Sequence, residues 1–319
     1  MRLILSRRLV RVALCAASLA GFVAACASQA THHPVIVSEM GVASTSSALE
    51  ASLSRPGAVA FQRVRFATWT GGRGSFIDRE DPRTASVPKG TEEATIYAYV
   101  LDHPTRGRYL IDAGVSGDLE PSLNWIMRRG LADMNVRIDQ TLGRWLNGQT
   151  QPRGVFLTHL HFDHIGGLID LGPDTAIFGG PGDAAERSWT NTLVGHPADT
   201  ILRGKGPLRE WAFHPDPDVR FAGVLDVFGD GSVWALHVPG HSPGSTAYLI
   251  NTTDGPKLVV GDAVSTRLGW EEAMPQPVPA EARANAEASA GALRRLAADH
   301  PQIEVFLGHQ SRTGQAQAQ

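Results

Sequence analysis

The residues best suited to chemistry lie in one run, Thr158-His159-Leu160-His161-Phe162-Asp163-His164-Ile165-Gly166-Gly167. His159 and His161 are two apart at the end of an apolar stretch, 154–158, that reads as a strand. Side chains at that spacing leave on the same face. Two imidazoles on one face can grip a borderline metal ion. Asp163 and His164 follow where Gly166 and Gly167 let the chain turn, so a carboxylate and a third imidazole are offered in another direction. That layout suits a second ion about 3.5–4 Å from the first, the pair sharing and activating one water. Three histidines and an aspartate within six residues favour a metal turn over a polar loop that merely contains histidines.

Three more ligand-type residues each follow a short apolar run. His241 ends Val238-Pro239-Gly240-His241, Asp262 ends Leu258-Val259-Val260-Gly261-Asp262, and His309 ends Val305-Phe306-Leu307-Gly308-His309. Strand ends that deliver His, Asp and His to one rim form a coherent design. The only cysteines are Cys15 and Cys26, so no thiolate serves as ligand or nucleophile in the folded domain. The remaining histidines read as incidental. His32 and His33 sit in a linker, His103, His196 and His214 precede prolines, His237 lies along a strand and His300 ends a helix.

This pattern resembles the metallo-β-lactamase superfamily, whose hallmark is His-x-His-x-Asp-His followed by separated His, Asp and His. The likeness runs from about residue 60 to 310. It implies an α/β fold, an αββα sandwich of two mixed sheets flanked by helices, with metals at one edge. It further implies that His159, His161 and His241 hold a first metal and that Asp163, His164 and His309 hold a second. Asp262 would bridge both. Asp112, in Leu110-Ile111-Asp112-Ala113-Gly114, resembles the aspartate that supports the metal turn. The expected cofactors are two divalent ions, zinc by default, with iron, manganese or cobalt also suited to nitrogen and oxygen ligands.

The mechanism so implied is attack of a metal-bridging hydroxide on a carbonyl, with Asp163 moving a proton to the leaving oxygen and Asp262 in the bridge. A bridging aspartate argues against β-lactam hydrolysis. The spacings resemble the N-acyl-homoserine lactonase and glyoxalase II-like branches, which implies a lactone or carboxylic ester as substrate. Those lactonases often carry a substrate-contacting tyrosine three residues after the bridge; here Ser265 stands there, a shorter hydrogen-bond donor assigned to substrate binding. The alternatives are a phosphodiesterase, a glyoxalase II-like thioesterase, or a non-catalytic metal-binding lipoprotein. An intact set of ligands disfavours the last.

The surrounding elements must place these residues. Strands are predicted at 59–69, 95–101, 108–112, 154–158, 233–238, 247–251, 257–260 and 304–307, and helices at 119–130, 136–147 and 280–298. Residues 172–232 show no clean period and read as loops, short strands and a helix near 183–193, a candidate cap over the site; Trp189, Trp211, Phe213 and Phe221 there suit an acyl chain or a core. With 42% hydrophobic residues the chain has material for one large core, and a net charge of −3 gives no basic excess to draw nucleic acid.

The N-terminus reads as a signal peptide over 1–25. Arg2, Arg7, Arg8 and Arg11 precede the apolar run 12–25. Val23-Ala24-Ala25-Cys26 resembles the lipobox of bacterial lipoproteins. That resemblance implies export to the periplasmic side of a bacterial membrane, with membrane contact only through a lipid on Cys26. Residues 26–57, rich in Ala, Ser and Thr, read as a flexible tether, 58–310 as the hydrolase domain and 311–319 as a disordered tail.

Overall fold

The structure, a computed structural model, describes residues 30–185 and 196–312. The expectations for the leader 1–25, for Cys26, for Trp189 and for residues 313–319 lie outside the described residues. The strands in chain order are β1 (Val35–Val37), β2 (Val42–Ala43), β3 (Ala60–Gly72), β4 (Thr91–His103), β5 (Gly107–Ile111), β6 (Arg137–Ile138) and β7 (Gly154–Phe156). They continue as β8 (Ala176–Gly179), β9 (Leu208–Glu210), β10 (Gly223–Asp226), β11 (Val233–His237), β12 (Thr246–Thr252), β13 (Gly255–Val259) and β14 (Glu304–Phe306).

Two mixed sheets result. One runs β1-β9-β8-β7-β5-β4-β3-β6 and the other β14-β13-β12-β11-β10-β2. Period-2 patterning decides the layers. Along β4, Ile96, Ala98 and Val100 belong to the core shared with Met127 and Leu142 on the helical side. The alternate residues Tyr99 and Leu101 lie in the core between the sheets, with Tyr248 and Ile250 of β12. The second sheet buries Leu236, Leu249 and Leu258 under Leu293 and Leu296. Those two leucines belong to the long helix Arg283–Asp299, one of eight numbered here α1 (Ser46–Ser52), α2 (Leu119–Ser122), α3 (Trp125–Asp133), α4 (Leu142–Leu146), α5 (Phe162–Ile165), α6 (Pro197–Ile201), α7 (Arg267–Glu271) and α8 (Arg283–Asp299). This is the αββα sandwich that the sequence predicts.

Three expectations are corrected. Residues 136–147 are not one helix: Arg137 and Ile138 pair with Thr68 and Ala67 of β3, and the helix starts only where the Thr141 side chain accepts from Arg144 N–H. Left-handed Asn135 (φ 51°) marks the break before them. The region 172–232 is no separate cap. Its strands β8, β9 and β10 belong to the two sheets, and strands buried on both faces lack an alternating pattern. Trp211 is 2% exposed and donates through Nε1 to the Tyr248 hydroxyl at 3.0 Å, and Phe221 is a core residue, so both are packing rather than lining.

The third correction concerns the expected flexible tether. Residues 35–52 instead strap across both sheets. β1 pairs in parallel with β9, and β2 pairs with β10. The buried carboxylate of Asp216 takes the Ser46 hydroxyl at 2.5 Å and the N–H groups of Arg220 and Phe221. Burial pushes the Asp216 carboxyl upward, but these donors hold it below its ordinary range. Leu49 is fully buried against the second sheet. Small polar side chains suggested disorder because the attachment is made largely by backbone groups, which composition does not register. His32 and His33 serve the same anchorage, meeting Asp199 at 2.8 Å and the Gly206 carbonyl at 2.7 Å.

Candidate metal centre

The chain leaves β7 at Phe156 and delivers Thr158, His159 and His161 before entering α5, which carries Asp163 and His164. The turn after β11 brings His241, the turn after β13 brings Asp262 and the turn after β14 brings His309. All seven meet at this edge of the sandwich. Ligand atoms of His159, His161 and His241 lie within 4.8 Å of one another, as do those of Asp163, His164 and His309. Asp262 lies between the groups. Its Oδ2 is 3.6 Å from His241 Nε2 and 3.1 Å from His309 Nε2, and its Oδ1 is 3.6 Å from His164 Nε2. Six of the seven are buried, and only His241 is part-exposed, with 17% of its side chain accessible.

Neighbouring groups fix which nitrogen faces inward. Asp112 Oδ2 takes His164 Nδ1–H at 2.9 Å, and the Thr95 carbonyl takes His309 Nδ1–H at 3.1 Å. The Thr158 hydroxyl donates to Asp112 and lies 3.1 Å from His159 Nδ1. Each of these imidazoles therefore turns Nε2 to the centre. Asp112 itself sits in the left-handed region (φ 57°), with its N–H bonded to the Phe156 carbonyl. That conformation costs on the order of 1–3 kcal/mol for a residue other than glycine and is kept only where surrounding contacts enforce it.

The donor set suits metal ions. His161 Nε2, His164 Nε2 and Asp262 Oδ1 are buried without a protein hydrogen-bond partner, and buried polar atoms ordinarily have one. Burial and then the neighbouring histidines push His159 and His161 well below the ordinary histidine range; burial lowers His241 as well. These three therefore present neutral lone pairs. Burial opposes charge on His164 too, but Asp112, Asp163 and Asp262 raise it to about 10, and Asp262 and Asp163 raise His309. Asp262 is held well below the carboxylate range: burial disfavours its charge, and the neighbouring imidazoles of His309, His164 and His241 outweigh that. Among the seven, Asp163 and Asp262 supply the anionic ligands that a pair of divalent ions would meet.

Sequence reasoning named Asp112 but not three of its companions. Thr158 links the carboxylate to two imidazoles, the Thr95 carbonyl orients His309, and Trp69 meets the His309 ring edge-on at 5.9 Å. Thr158 precedes the first histidine and could have been flagged from that adjacency; Thr95 and Trp69 are brought in by β3 and β4 alone. Ser265 is buried, and its carbonyl accepts His309 N–H at 2.9 Å. Its flank lines a cavity beneath α8 whose lining includes none of the seven. Replacing Asp112 with asparagine is expected to lower metal affinity or turnover about 10- to 100-fold, with the melting curve nearly unchanged, as read by metal titration.

Comparisons agree with this geometry. Residues 92–309 match the family model described as "Metallo-beta-lactamase superfamily". The chain is 28% identical over 170 residues to the metallo-hydrolase mfmC of Annulohypoxylon moriforme, covering 50% of this chain and 45% of that protein. It is 26% identical over 193 residues to the N-acyl homoserine lactonase AttM of Rhizobium johnstonii, covering 56% of this chain and 69% of that one. The chain spans about half the length of the first curated relatives it matches. Among solved structures, a quorum-quenching N-acyl homoserine lactone lactonase superimposes with a TM-score of 0.59 at 19% identity, over 83% of this chain and 98% of that one. Matched over most of its length, and with the family's ligand types gathered at one sheet edge, the chain belongs to the metallo-β-lactamase superfamily.

Proposed function

We propose that this chain is a dinuclear metal-dependent hydrolase and opens a lactone or carboxylic ester, an N-acyl-homoserine lactone being the first candidate. The observation that carries the reading is Asp262, one carboxylate within 3.6 Å of histidines from both groups. His159, His161 and His241 would hold one ion, Asp163, His164 and His309 the other, with Asp262 between. Ions bound there would polarise a carbonyl and bring the pKa of water towards about 7. The protein supplies the rest. Asp112 and Thr158 fix His164 and His159, Thr95 fixes His309, and a buried site strengthens every charge interaction within it. Asp163, whose Oδ2 lies 3.4 Å from His309 Nε2, would pass a proton to the leaving oxygen. The lactonase relatives support lactones as substrates, and zinc is the default ion. Export with a lipid on Cys26 stays part of this proposal; no helix among the described residues is long and apolar enough to cross a membrane.

The test joins metal analysis to a substrate panel. Protein lacking residues 1–26 is expected to carry about two transition-metal ions per chain and to hydrolyse lactones or esters. Inertness towards both, alongside phosphodiester cleavage, would overturn the substrate class. A folded chain that takes up no metal would overturn the reading altogether.

A further inference from the structure

Beside the metal turns lies a separate cavity of about 150 Å³. Its floor is one face of α8. Arg283, Ala286, Ala290 and Arg294 are spaced three, four and four residues apart, so they share that face. Two alanines leave a trough, with a guanidinium towards each end. Phe76, Met274 and Pro275 make an apolar roof, fastened down where Asp78 N–H reaches the Pro275 carbonyl at 2.8 Å. Ser265 forms part of the opposite wall.

Charge balance singles out Arg294. Arg283 pairs with Asp78 at 2.9 Å, and Arg83 pairs with Asp81 at 2.7 Å and with Glu287. Arg294 makes one bond, to the Gly269 carbonyl at 2.6 Å, and faces no carboxylate among the described residues. Its Nε is buried without a partner, and so is that of Arg283. Burial alone pulls Arg294 down from its ordinary range. Arg294 is half-buried, and a partly desolvated guanidinium without a carboxylate partner favours an anion.

We propose that this cavity is a binding site for a short carboxylate, whose anionic end pairs with the Arg294 guanidinium and whose apolar tail lies over Ala290 and Ala286. The volume admits only a few non-hydrogen atoms beyond the carboxylate, and the alanine floor gives a tail no polar partner. A free short-chain acid and a carboxylate borne by the substrate share this chemistry. Ser265 adjoins the cavity and its carbonyl holds the His309 turn, so the site lies next to the reaction centre while sharing no ligand with it.

Calorimetry on the metal-loaded protein tests this, with propionate and its neutral isostere propionamide as probes. Propionate is expected to bind saturably at one site and propionamide not at all. Arg294→Met should weaken propionate about 10- to 100-fold, the value of a charged hydrogen bond. Ala290→Leu, which fills the floor and leaves the guanidinium in place, should do the same. Absence of propionate binding, equal binding of propionamide, or binding that survives both substitutions, as it would at the metal ions, overturns the proposal. None of these readings needs hydrolysis, so they are independent of the substrate class proposed above. The source is told apart by turnover of monoethyl succinate against ethyl butyrate. A rise in KM confined to the succinate ester in Arg294→Met assigns the site to the substrate's own carboxylate; equal behaviour of the two esters, with propionate still bound, assigns it to a free acid.

Discussion

Replacing Asp262 with alanine is expected to lower lactone or ester hydrolysis by about a thousandfold or more, the kinetic equivalent of several kcal/mol of lost charge stabilisation. The same change should take the bound metal from about two ions per chain towards one or none. The Asp262 carboxylate reaches both groups: its oxygens lie 3.1 to 3.6 Å from His309, His241 and His164. Without it, His164 and His309 lose their shared carboxylate and the two groups lose their link. Kinetics with metal analysis on the same preparation decides the matter. A variant that keeps both ions and turns over like wild type would remove Asp262 from the centre. Asp262→Asn keeps the shape without the charge and should fall between the two.

The second large effect is expected from a single methyl group. A Cβ added at Gly308 would stand 2.0 Å from Asp262 Oδ1 and 2.9 Å from the Gly261 carbonyl. The turns carrying Asp262 and His309 are stitched together by Gly308 N–H to Val264 O at 3.3 Å and His309 N–H to Ser265 O at 2.9 Å. They can separate only by displacing one ligand or the other. Gly308→Ala should therefore cost about 1–3 kcal/mol of stability from overpacking. It should cost at least about a hundredfold in turnover, as a misplacement near 1 Å typically does. Gly172→Ala is the control, because nothing lies within 4 Å of the added atom there. Equal activity of the two variants would show that the contact relaxes without moving the ligands.

Much of the centre was legible because its parts are local strings. The run 158–164 carries four ligand-type residues on a strand end and a short helix, and His241, Asp262 and His309 each follow an apolar strand. What was not legible depends on groups with no side-chain signature or on distant pairing. The Thr95 carbonyl orients His309 across 214 residues. Trp69 reaches the same ring only because β3 lies against β4. Short buried strands such as β8 and β10 carry no period to read, so residues 172–232 read from sequence as loops, short strands and a helix that could cap the site. The position of Ser265 after Asp262 assigns it to the substrate; in the fold it is buried and its carbonyl holds the His309 turn.

The strap formed by residues 35–52 has a consequence for the order in which the molecule is completed. Ser46 and its anchor Asp216 are 170 residues apart, and β1 finds β9 across a similar separation. At a synthesis rate of about 5–20 residues per second, the strap waits roughly 10–30 s after it is made before its partners exist. During that interval Val35, Ile36 and Val37, which stay 40%, 42% and 70% exposed even in the finished domain, form an open strand with nothing to pair with. Closing a loop of that length is a late event. The metal turn at 158–164, by contrast, is drawn from seven consecutive positions. The strap is thus seated only once synthesis has passed Asp226, and it then fastens one outer edge of each sheet.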